Sequence, residues 1–177
     1  MHWRSRGYSL YELLITTGLI AILLAVGIPS FAAVAARQRQ LAEINALFHA
    51  MHVARKESIM RRKVVSLCPS HDGRACANST DWSGGWLMFE DSDRDSPPHI
   101  DAGEPVLQRH AVASEIIIRA NRRSFTLRAT FLRATNGTFV VCDRRARIPA
   151  KGLVVSYTGR PRVALSKTSG RPYSCAH

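Results

Sequence analysis

Gly159-Arg160-Pro161-Arg162, near the C-terminal end, is the stretch whose residue types and spacing speak most directly of chemistry. Residues i and i+2 of an extended segment point to the same side about 6.6 Å apart, so Arg160 and Arg162 suit neighbouring phosphates of one nucleic-acid strand. Pro161 stiffens the backbone between them and reduces the entropy lost on binding, while Gly159 permits the turn that exposes them. The surroundings carry the same sign of charge. Residues 121–177 hold twelve Lys and Arg against one acid, Asp143, in a chain of 177 residues with net charge +12. Such one-sidedness is the electrostatic footprint of a polyanion binder, with nucleic acid the obvious candidate and anionic lipid a weaker alternative. Arg144, Arg145, Arg147, Lys167 and Arg171 are candidates to widen the patch, with Arg122 and Arg123 behind them; the bland reading is a solvated loop that keeps the domain soluble. Contacts to phosphate imply little sequence preference and, for four to six phosphates neutralised, a log-log salt slope of roughly −3.5 to −5.5. No aromatic ladder demands single-stranded DNA, although Tyr157 or Tyr173 could stack on a base.

Other clusters carry less. Glu90-Asp91-Ser92-Asp93-Arg94-Asp95 alternates carboxylates as calcium loops do, yet Ser96 stands where such a loop needs Gly and the bidentate Glu is missing at the twelfth position. An acidic hairpin turn is the better reading. His49 and His52 share one helical turn and are expected to flank a packed face as solvated residues. Cys68, Cys76, Cys142 and Cys175 imply two disulfides in an exported domain; spacing leaves three connectivities open, with Cys68 to Cys76 and Cys142 to Cys175 favoured. In the loop-entropy model these contribute roughly 2.5 and 4 kcal/mol. No Cys-x-x-Cys or matching histidine spacing supports zinc, and no Gly-x-Ser-x-Gly, His-Glu-x-x-His, phosphate loop or dinucleotide fingerprint is present. An enzyme, a metal site and a cofactor are therefore not expected.

The elements that must position these residues begin with residues 13–36, a run without charge broken only by Thr16, Thr17 and Ser30. It exceeds the roughly 20 apolar residues that span a bilayer. Arg4 and Arg6 ahead of it keep the N-terminus in the cytoplasm, although Arg37 and Arg39 compete. Leu41, Ile44, Phe48, Met51, Arg55 and Ile59 continue at helical spacing, with Leu47 beside them, so one face of residues 41–59 is expected to pack on a globular part. From Val64 the pattern becomes that of strands, predicted at 64–68, 86–90, 106–111, 115–119, 124–131, 138–143 and 153–157 and separated by turn chemistry such as Ser83-Gly84-Gly85 and Asn136-Gly137. One long helix followed by strands predicts an α+β domain.

The N-terminal run Arg6-Gly7-Tyr8-Ser9-Leu10-Tyr11-Glu12 resembles the start of a type IV prepilin. Later stretches are similar to the GspH/FimT family of minor pilins and pseudopilins: Val64 to Ser70, Trp82 to Asp91, Gly137 to Asp143, and the tail from Val154 to Cys175. The resemblance implies a type IV pilin-like fold divided into a leader, 1–7, a transmembrane and assembly helix, 8–36, its amphipathic continuation, 37–63, and a β-rich periplasmic or extracellular domain, 64–177. It implies cleavage after Gly7 and methylation of Tyr8, where the family more often has Phe, by a prepilin peptidase and methylase. Glu12 would pair with the Tyr8 amine of a neighbouring subunit, and Pro29, 21 residues after Tyr8, would bend or locally melt the helix. The chain would sit in the inner membrane as a single-pass protein and then join other pilin subunits in a surface pilus. The Gly-Arg-x-Arg arrangement is similar to the DNA-binding motif of FimT-type pilins that act in natural transformation. The alternative is a structural minor pilin, or a type II secretion pseudopilin, that initiates or caps the filament without binding DNA.

Overall fold

The computed structural model describes residues 9–129 and 134–175, so Gly7 and Tyr8 lie outside the described residues. Helix α1, Leu10–Arg61, has 52 residues, about 78 Å at 1.5 Å per residue. Ser9 caps it by accepting a hydrogen bond from the Glu12 backbone N–H at 3.2 Å, and Arg62 ends it in the left-handed conformation. The helix runs unbroken through position 29. Residues 9–28 are exposed throughout. Within this half the Thr16, Thr17 and Ser30 hydroxyls donate to carbonyls three or four residues back, so the polar interruptions of the apolar run are satisfied inside the helix.

The second half of α1 buries a face rotated from the expected stripe. Ala36, Gln40, Glu43, Ile44, Leu47, Ala50, Met51, Ala54 and Ser58 are buried, whereas Leu41, Phe48 and Arg55 are half-buried and Ile59 is exposed. Apolar spacing alone missed this because the contact uses alanines, which let the helix approach the sheets closely, and polar side chains that serve backbone groups. The Gln40 amide donates to the carbonyls of Val141 and Pro149 at 2.9 and 3.0 Å. Glu43 accepts from Ala113 N–H at 3.0 Å and lies 2.8 Å from His110 Nε2.

Eight strands form two antiparallel four-stranded sheets. The first, ordered β3-β2-β1-β5, comprises β1 (Val64–Pro69), β2 (Trp86–Asp91), β3 (Val106–His110) and β5 (Phe125–Leu127). The second, ordered β4-β6-β7-β8, comprises β4 (Ile116–Ala120), β6 (Gly137–Asp143), β7 (Lys151–Val155) and β8 (Pro161–Ala164). Trp82, Phe125 and Phe139 stack edge and face in the core beneath Ile44, Leu47 and Met51. Seven strands fall where alternation placed them. The fifth is shorter than 124–131, whose end includes residues outside those described.

The eighth strand was not among those expected: the Gly-Arg-Pro-Arg stretch, read as an extended segment entered by a turn, is a turn that becomes an edge strand. Both disulfides join the favoured partners, Cys68 to Cys76 and Cys142 to Cys175, with Cα separations of 5.5 and 6.3 Å.

Candidate functional site

The turn between β7 and β8 closes through Ser156 N–H to the Arg160 carbonyl at 3.1 Å and Gly159 N–H to the Ser156 carbonyl at 2.9 Å. Arg160 N–H donates to Ser156 Oγ at 3.2 Å. Gly159 is buried with φ +73°, and a Cβ there would meet Leu127 Cδ2 at 3.1 Å and Ala134 Cβ at 3.3 Å. Both the left-handed backbone and the close approach therefore require glycine. Its work is to hold the turn against β5, which fixes where Arg160 emerges.

Alternation along β8 sorts the next residues. Pro161, opposite Val155, is buried, and Arg162, opposite Val154, is exposed on the outer face of the second sheet. A proline is tolerated because it opens an edge strand and needs no ladder donor on its free side. Arg160 is likewise exposed, and among the described residues neither Arg160 nor Arg162 has an ion-pair partner. The turn lies at the end of the domain remote from the apolar half of α1: Leu127, which Gly159 touches, pairs with Val65, and the nearby Arg128 carbonyl accepts from Arg55 at 3.2 Å.

The other candidate arginines do not gather here. Arg144, Arg145 and Arg147 follow the far end of β6, whose Gly137 pairs with Val155 beside the turn. Six steps of strand separate the two ends by about 20 Å. Arg144 Nε donates to the Ser114 carbonyl at 2.8 Å. Arg147 is neutralised by Asp143, through Nη2 at 2.6 Å and through Nε and the backbone N–H at 3.0 Å each. These bonds hold the Asp143 carboxyl at about 2, well below its ordinary value, and raise Arg147. Arg145 is exposed. Sequence reasoning grouped this trio in one patch with Lys167 and Arg171. The Cys142 to Cys175 bridge does bring the tail beside Arg144, but the Tyr173 ring stands between: Arg144 lines a 330 Å³ groove on one side of it, and Arg162 and Lys167 line a 420 Å³ groove on the other.

Lys167 and Arg171 flank a tight turn, closed by Lys167 N–H to the Arg171 carbonyl at 2.8 Å, in a tail that folds back over the sheet. Arg119, which sequence reasoning left as an ordinary strand residue, lines the same groove as Arg162 and pairs with Asp81 at 3.5 Å. The inward alternation of Ile116, Ile118 and Ala120 was the signal that it faces out. Arg122 and Arg123 bond to Asn136 and Asn78.

The acidic stretch forms the β2–β3 hairpin connection, and its carboxylates hold that loop together. Asp91 is buried, accepts from Ser66 Oγ at 2.6 Å and Arg94 N–H at 2.7 Å, and is raised above its ordinary value by burial. Glu104 accepts from the N–H groups of Ser92 and Asp101. His49 and His52 are exposed, His52 against the Phe48 ring.

Comparison with known proteins places this arrangement. Residues 43–159 match the family model of the type II transport protein GspH, which ends one residue short of Arg160. No curated protein sequence matches. The fold is similar to that of the type IV minor pilin FimU of Pseudomonas aeruginosa, at 20% identity and a TM-score of 0.53 over 78% of this chain and 99% of that one. It is also similar to the minor pseudopilin EpsH from the type 2 secretion system of Vibrio cholerae, at 8% identity and a TM-score of 0.52 over 71% and 96%. With more than half of its residues inside the family match, and a long helix packed on antiparallel sheets, the chain belongs to the GspH family of minor pilins and pseudopilins.

Proposed function

We propose that this chain is a minor type IV pilin that binds extracellular DNA without sequence preference and acts in DNA uptake for natural transformation. In this reading a prepilin peptidase and methylase cuts after Gly7 and methylates Tyr8, residues 8–36 hold the subunit in the inner membrane, and Glu12 docks it among other pilins. One observation carries the DNA assignment: Arg160 and Arg162 stand exposed at the anchor-remote end of the domain with no ion-pair partner among the described residues, whereas Arg147 and Arg119 are paired with Asp143 and Asp81. An unpaired guanidinium in the turn and another on the strand it opens suit a phosphate backbone better than they suit fold stability.

The test is DNA binding by the full chain in detergent, as wild type and as Arg160→Ala with Arg162→Ala, over a salt series with folding checked by circular dichroism. Salt-sensitive binding lost in the folded double variant is the expected result; a folded wild type that binds no DNA overturns the reading. The GspH match favours one alternative, a structural minor pilin or secretion pseudopilin whose basic tail faces an acidic subunit. That role predicts impaired piliation or secretion in the double variant and rescue by a charge-swapped neighbour. The DNA role predicts intact filaments with lost transformation.

A further inference from the structure

The groove beside Tyr173 is not a featureless trough. Its floor is the outer face of the second sheet, where Val140 and Val154 offer apolar surface and Thr138, directly across from Val154, a hydroxyl. One wall is the tail, held down by the Cys142 to Cys175 bridge and by the Tyr173 ring, which rests so closely on Gly152 that any Cβ there would overlap it. Arg162 and Lys167 stand on the rim, and no carboxylate lines the groove among the described residues. Its volume of 420 Å³ falls within the range of small-ligand sites. A groove with an apolar floor, an aromatic wall and a cationic rim matches one chemistry well: a planar heterocycle joined to a phosphate.

We propose that this groove receives a single unpaired nucleotide of a DNA strand, its base against Tyr173 and the Val140 and Val154 floor and its flanking phosphates on Arg162 and Lys167. This rests on the DNA reading above and sharpens it. A base paired in a duplex cannot enter, so the chain prefers single-stranded stretches or frayed ends, while Arg160 and Arg162 alone hold duplex through its phosphates. Base stacking in such a slot is worth about tenfold in affinity.

The experiment compares binding of a twelve-residue oligodeoxythymidine and of the corresponding duplex to the full chain in detergent, for wild type and for Val154→Trp, which fills the slot. A second measurement uses the wild type alone: an oligonucleotide carrying 5-iododeoxyuridine is photo-cross-linked and the attached peptide mapped, so the result stands even if the variant misfolds. The expected results are an approximately tenfold loss of single-strand affinity in Val154→Trp, a clearly smaller loss for duplex, and a cross-link at Tyr173. Unchanged single-strand affinity in a folded variant, or a cross-link outside the residues that line the groove, overturns the groove assignment and leaves the phosphate-binding reading standing. If the wild type binds neither oligonucleotide, the DNA reading fails and the groove assignment with it.

Discussion

Asp143 accepts three hydrogen bonds from Arg147, one of them from the backbone, at the end of β6. The carboxylate so held sits at about 2, below its ordinary 3.8. A carboxyl depressed in the folded state stabilises the fold above its unfolded pKa and loses that contribution as pH falls through the folded one. Thermal melts from pH 5 to pH 2 are therefore expected to show stability declining below about 3.8, with Asp143→Asn flattening the decline. The same variant costs roughly 1–3 kcal/mol at neutral pH, from the lost charged hydrogen bonds. Residue chemistry of this kind was half legible. That Arg147 follows the only acid of the last third by four residues is visible in the sequence, but whether a loop folds them together is not, and the arginine was counted with the DNA patch. Arg162 was easier, because alternation fixes its side once the segment is extended.

Among elements, α1 is tied to the sheets by polar contacts as well as by its apolar face. Glu43 is buried beneath β3 and serves His110 and the Ala113 N–H at once. Glu43→Ala leaves that backbone donor unsatisfied and is expected to destabilise the domain by roughly 2–4 kcal/mol in denaturant unfolding, several times the cost of an exposed helix substitution such as His49→Ala. The helix and seven strands were readable from period and turn chemistry. Strand β8 was not, because glycine and proline read as punctuation, and only pairing with Val154 and Val155 makes the segment a strand. The buried helix face was misjudged for a related reason: Ala50, Ala54 and Gln40 pack well in three dimensions but add little to an apolar count.

On the scale of the whole molecule, charge is divided unevenly along the sequence. Acidic side chains concentrate in residues 64–120, with nine Asp and Glu, and bases in residues 121–177, so the field is set by the last third of the chain. The Cys142 to Cys175 bridge keeps that third folded back on the sheet. Cys142→Ser with Cys175→Ser is expected to lower stability by about 4 kcal/mol and to open the tail to limited proteolysis near Lys167, with the core strands protected. At the other end, the exposed half of α1 carries its own hydroxyl satisfaction through Thr16, Thr17 and Ser30. On the proposed reading, this half can exchange acyl chains for the side chains of neighbouring helices while these hydroxyls keep their partners inside the helix, so moving from bilayer to filament would be a change of solvent and not a refolding.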